Sequence, residues 1–185
     1  MHRFLTLLLP LFLFSCSSVP ATPDVGPQVG QRLVTLSNLH PDPARHKLSS
    51  LNYQQAGFIP VGSTVTITDR NRSKLTFKEE ETGIEYTFER SKHTPNSLGE
   101  NLTLFFGTPD QVPDASGLSE IDREGIQQGA ALIGMTKTGV LIACGPPPIH
   151  ATASTDLFVW TYWKNRWATR VVRFDSNGIV VRIDG

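Results

Sequence analysis

The sequence predicts an α+β protein, in which a small antiparallel β region precedes two helices and a three-stranded antiparallel sheet. Three observations predict it. Apolar and polar residues alternate at period two through much of residues 32–110. Two helix starts, each with its own capping and stopping residues, fall between Ser119 and Gly145. Three further alternating stretches, separated by turn residues, complete the chain. The 15 glycines and 13 prolines among 185 residues suit strands joined by turns. Lys plus Arg and Asp plus Glu balance at 17 each, which leaves no basic field for nucleic acid and no acidic tail.

Residues 1–16 have the three parts of an export signal: a positive start at the amino terminus and Arg3, an apolar run from Phe4 to Phe14, then small residues. Spanning a bilayer takes roughly 20 apolar residues. This run is too short and contains Pro10, so a cleaved signal is expected instead of an anchor. Leu13-Phe14-Ser15-Cys16 resembles the bacterial lipobox. That resemblance implies cleavage before Cys16 and acylation of its thiol and amine, which would hold the protein to a membrane without a spanning helix. Ser17 in the second mature position resembles lipoproteins sorted to the outer membrane, on its periplasmic face. The alternative is ordinary cleavage after Val19-Pro20-Ala21, which discards Cys16 and leaves a soluble periplasmic or secreted protein.

Residues 17–31, rich in Ser, Pro, Gly and Thr, carry too few apolar side chains to offset the entropy of ordering them and read as a flexible tether. Residues 32–110 read as the β-rich domain. Val65 and Ile67, Leu75 and Phe77, Ile84, Tyr86 and Phe88, then Leu102, Leu104 and Phe106 each occupy alternate positions, so one face of each strand is apolar. Residues 69–73 and 80–84 supply the hairpin turns. The segment 36–57 reads as a strand pair joined by a proline-rich loop. Pro60-Val61-Gly62, ahead of an alternating strand, resembles the entrance to a small SH3-like barrel.

In residues 117–185, Ser119 and Asp122 have capping-box spacing, and the helix they start is expected to stop near Gly129. Thr136 caps a second helix to Cys144, which Gly145 ends and Pro146-Pro147-Pro148 keeps from resuming. The three stretches that follow form a meander with turns at Lys164-Asn165 and at 175–178, and the helices pack on one face of it.

The run from Leu132 to His150, the strand DLFVWTYW, and the last strand entered through Gly178 together resemble the BamE/SmpA family of small outer-membrane lipoproteins. The resemblance covers residues 117–185 only. It implies a two-helix, three-strand unit and a non-enzymatic binding or scaffolding role in the envelope, since the family's best-known members are accessory subunits of the machine that assembles outer-membrane β-barrels. There they bind another lipoprotein and contact phosphatidylglycerol. The same unit also occurs in proteins that inhibit hydrolases, so a hydrolase inhibitor or a peptidoglycan-binding module is the alternative. Gly139 stands where the family has better helix formers, and is expected to weaken its helix by about 1 kcal/mol.

The candidate partner-binding residues are Trp160, Tyr162, Trp163 and Trp167, with Arg166 and Arg170 beside them. On a strand, Trp160 and Tyr162 share one face while Trp163 takes the other, so one set packs beneath the helices. The other set either meets the N-terminal β region as a domain interface or forms an aromatic platform for a protein or a glycan strand. Cys144 follows Val140 and Leu141 at helical spacing, so it is expected to be a small core residue, separate in purpose from Cys16. No metal site, cofactor or catalytic centre is expected. His40, His46, His93 and His150 lack ligand spacing, His2 lies in the signal, and neither a nucleophile elbow nor a phosphate-binding glycine loop is present. Glu79-Glu80-Glu81 reads as a solvated hairpin end.

Overall fold

A computed structural model describes residues 25–185, so the signal and Cys16 lie outside the described residues. The first half is built from β1 (Arg32–Thr35), β2 (Lys47–Ser49), β3 (Thr64–Arg70), β4 (Lys74–Glu79), β5 (Glu85–Glu89), the short helix α1 (Leu98–Leu102) and β6 (Phe106–Gly107). These strands form one curled sheet in the order β2-β5-β4-β3-β1-β6. The second half comprises α2 (Glu120–Gln128), α3 (Lys137–Cys144), β7 (Val159–Asn165), β8 (Ala168–Phe174) and β9 (Val180–Asp184). Its three strands make a separate sheet in the order β7-β8-β9, antiparallel throughout. The architecture is α+β, with few helices.

Period two builds the first core as expected from the alternation: Val65, Ile67, Leu75, Phe77, Tyr86 and Phe88 are buried together. Phe77 stacks on Tyr86 at 5.5 Å between ring centroids and meets Phe106 edge-on at 5.0 Å. Each such side chain contributes about 1.5–3 kcal/mol on burial. The hairpins turn at 71–73 and 80–84, between the strands named above.

Four features of the first half differ from the sequence reading. The first sheet is mixed, because β2 runs parallel to β5, pairing Leu48 with Phe88. The segment 36–57 contributes only that short strand and isolated bridges, such as Leu39 with Ile59, and makes no strand pair of its own. Leu102 ends a helix instead of opening a strand: Ser97 caps α1 by accepting from Glu100 N, and the Glu100 carboxylate accepts from Ser97 N at 2.7 Å. Finally, residues 25–31, expected in the tether, are tied to the body. Gly30 N donates to Ile67 O at 2.9 Å, Ile67 N to Gln31 O at 2.9 Å, and the Arg70 guanidinium to Val25 O at 3.0 Å.

In the second half, α2 starts at Ser119 with the expected capping box and stops at Gly129, which takes the left-handed φ of 63° that a β-carbon disfavours. Thr136 caps α3, and Gly145 follows Cys144. The second core packs Met135, Val140, Ala143 and Cys144 from the helical side against Trp160, Tyr162, Val172, Phe174 and Val180 of the sheet. The turn between β7 and β8 falls at Arg166-Trp167, two residues past its expected place. Asn165 Oδ1 accepts there from Trp167 N at 2.8 Å and Ala168 N at 3.1 Å. Among the described residues no helix is long and apolar enough to cross a membrane.

Candidate functional site

A helix leaves its last carbonyls without partners inside the helix. Those of α3 and Gly145 are met largely by the other half of the molecule, and this joins the two cores. Ile142 O accepts from Asn38 N at 2.8 Å, and Ala143 O lies 3.1 Å from His40 Nε2. Asn52 Nδ2 donates to Cys144 O at 2.8 Å and to Pro146 O at 2.9 Å, and Gln54 Nε2 to Cys144 O at 3.0 Å. Tyr162 OH donates to Gly145 O at 2.9 Å from the sheet below. Asn38 also reaches Ile126 O near the end of α2, at 2.7 Å. His40, Asn38 and Asn52 are buried polar residues whose positions show no periodicity. Their one local sign is Asn52 itself, whose positive φ of 47° asparagine tolerates better than most residues.

The seam continues along β7. Gln54 N donates to Trp163 O at 2.7 Å, and Tyr53 bridges Trp163 in parallel. Trp163 is half-buried there, and His150 lies nearly parallel to its ring, 6.1 Å away at 22°. Leu51, Tyr53, His93, His150, Trp163 and Arg166 line a cleft of about 320 Å³ at this place. The indole N–H of Trp163 is buried and meets no acceptor.

The six candidate residues are thereby separated. Trp160 and Tyr162 are 0% and 1% exposed and present no surface to a partner. Trp163 faces the N-terminal half. Trp167 sits in the hairpin turn at 81% exposure, with the Arg166 guanidinium 4.7 Å above its ring. Arg170 is directed elsewhere: it is half-buried and lines a different cleft with His40, Gln54, Phe58 and Gln128. Only Trp163, Arg166 and Trp167 of the six gather at one end of β7 and β8.

Cys144 is 2% exposed within the second core. Burial pushes its thiol up to about 12, despite opposing effects from Arg170 and a hydrogen bond from Ala131, so it holds no reactive thiolate near neutrality. Burial likewise pushes the Tyr162 phenol well above its usual range. Burial lowers the His40 imidazole below 6.5, helped by the nearby charge of Arg170 and opposed by the bond to Ala143.

Lys137, missed as a functional position by sequence reasoning, fixes the segment between α3 and β7. Its ammonium donates to Thr155 O at 2.9 Å and Asp156 O at 2.8 Å. It also lies 5.0 Å from the Phe158 ring centroid, 5.6 Å from Trp160 and 5.5 Å from Phe174. Among the described residues no group of three His, Cys, Asp or Glu is close enough to hold a metal ion. Comparison with protein-family models, with curated proteins and with solved structures gave no match.

Proposed function

We propose that the protein is a lipid-anchored lipoprotein of the bacterial outer membrane, facing the periplasm, which binds another envelope protein without catalysing a reaction. The observation that carries the binding role is Trp167, a tryptophan left 81% exposed at a hairpin tip with Arg166 stacked on it. Exposed aromatic and arginine side chains on a rigid element are the residue types that dominate protein interfaces. The seam supports the same reading, because polar bonds tie both cores together and Gln54 N holds β7 at Trp163 O, near the hairpin turn. The lipobox-like Leu13-Phe14-Ser15-Cys16 supports the anchor.

The likeness of residues 117–185 to the BamE/SmpA family supports a place in outer-membrane protein assembly. Its elements are compatible with the observed order of two helices and a three-stranded meander. An SH3-like origin for the first sheet is a second part of this proposal, supported by the Pro60–Gly62 entrance to β3. A photocrosslinking residue placed at Trp167 in living cells tests the binding role. A discrete crosslinked envelope protein, lost when the probe is moved to exposed Thr138 on α3, is the expected result. Equal, diffuse labelling from both positions contradicts it.

A further inference from the structure

We propose that the cleft at the seam is a binding site for a small carboxylated sugar. Its volume of about 320 Å³ lies at the lower end of the range for ligand sites, about 300–1,000 Å³. That suits one ring with short substituents. Leu51 and Tyr53 come from the first half, Trp163 and Arg166 from the hairpin of the second, and His93 and His150 from loops on either side. Walls drawn from both halves are a common setting for ligands.

The lining has a definite chemistry. Arg166 is its only charged lining residue, and none of the lining residues is acidic. An anion is therefore favoured, and a guanidinium matches a carboxylate through two parallel hydrogen bonds. Trp163 and Tyr53 offer aromatic surface, on which the C–H face of a pyranose packs. The Tyr53 hydroxyl and the two imidazoles exceed what a bare aromatic acid would use, whereas the hydroxyls of a sugar can engage all three.

This cleft shares Arg166 with the partner surface proposed above, but Trp163 lines only the cleft and Trp167 only that surface, so either proposal can fail without the other. The test titrates purified full-length protein with N-acetylmuramic acid, N-acetylglucosamine and lactate, following backbone and indole NMR shifts. N-acetylmuramic acid should shift Tyr53, His150 and Trp163, and should bind about tenfold more tightly than N-acetylglucosamine, which lacks the carboxylate. Lactate, which lacks the ring, should bind no better than N-acetylglucosamine. Arg166→Gln should remove the discrimination between the two sugars while the remaining spectrum is unchanged, and His150→Ala should weaken both. Equal affinity for the two sugars, shifts confined to other surfaces, or no shift at about 10 mM ligand, far above a useful affinity, overturns the proposal.

Discussion

Asp122 Oδ1 accepts a hydrogen bond from Thr136 N at 2.7 Å, so the first turn of α2 holds the cap of α3. The same oxygen lies 3.1 Å from Thr136 Oγ1, and Oδ2 accepts from Ser119 Oγ at 2.7 Å and Ser119 N at 3.2 Å. One buried carboxylate thus completes two helix caps, and it is stabilised by donors on every side. Asp122→Ala should destabilise the protein by about 2–4 kcal/mol, because the donors are left buried without an acceptor. A denaturant midpoint unchanged from wild type would show that the caps are independent of it.

Gly139 gains a reason from the same carboxylate. A β-carbon there would come within 2.0 Å of Asp122 Oδ1, so the cost of glycine in a helix is accepted to let the carboxylate approach. Gly139→Ala should therefore destabilise, although alanine favours helix by about 1 kcal/mol. In an Asp122→Ala background the same change should cost much less or become favourable. A double-mutant cycle measures this coupling, and additive effects would contradict it.

Lys137→Met keeps the aliphatic stem and removes the ammonium that bonds Thr155 O and Asp156 O. A loss of about 1–2 kcal/mol is expected, from two charge-assisted hydrogen bonds at a partly exposed site. Hydrogen exchange should accelerate in residues 146–158 and leave the six-stranded sheet unaffected. Uniform acceleration would mean that the lysine does not act locally.

His40 makes the seam sensitive to acid. Its folded pKa lies below the unfolded value near 6.5, so the unfolded chain binds the proton more readily. The contribution is fully present above pH 6.5 and is lost as pH falls from there toward the lower folded value. His40→Gln should flatten the pH dependence of stability below 6.5 relative to wild type. The nearby charge of Arg170 adds to the lowering. Parallel pH curves for the two proteins would place the sensitivity elsewhere.

Cys144 should resist maleimide at pH 8 in the native protein and react once denaturant exposes it, since its thiol is held near 12 by burial. Rapid labelling of the native state would show that the second core opens readily.

The second half was legible because its signals are local. Ser119, Asp122, Gly129, Thr136 and Gly145 each make a capping contact within about one turn of where they stand, whatever else they bond. The alternation also put Trp160 and Tyr162 on one face of β7, but it did not say that this face is the buried one. The capping box at Ser97 and Glu100 was equally local, but the alternation of Leu102, Leu104 and Phe106 masked it. Burial shows why alternation misled there: Leu102, Phe105 and Phe106 are buried while Leu104 is not.

Other features were beyond reach because they are decided between distant segments. β2 pairs with β5 across 40 residues, as Lys47 with Thr87, and three residues carry no pattern that names such a partner. The seam depends on Asn38, His40, Asn52 and Gln54 meeting carbonyls about 90–105 positions away. Single polar residues in a proline-rich stretch look solvated until the helix end that needs them is known. The cleft inherits this difficulty, since its six lining residues come from four separate parts of the chain.

Mass spectrometry of the amino-terminal peptide from protein extracted from the envelope tests the central claim, an acylated protein held at the membrane, most directly. The expected peptide begins at Cys16 and carries a diacylglyceryl group with an amide-linked fatty acid. An unmodified peptide beginning after Ala21 would contradict the anchor and the location proposed with it.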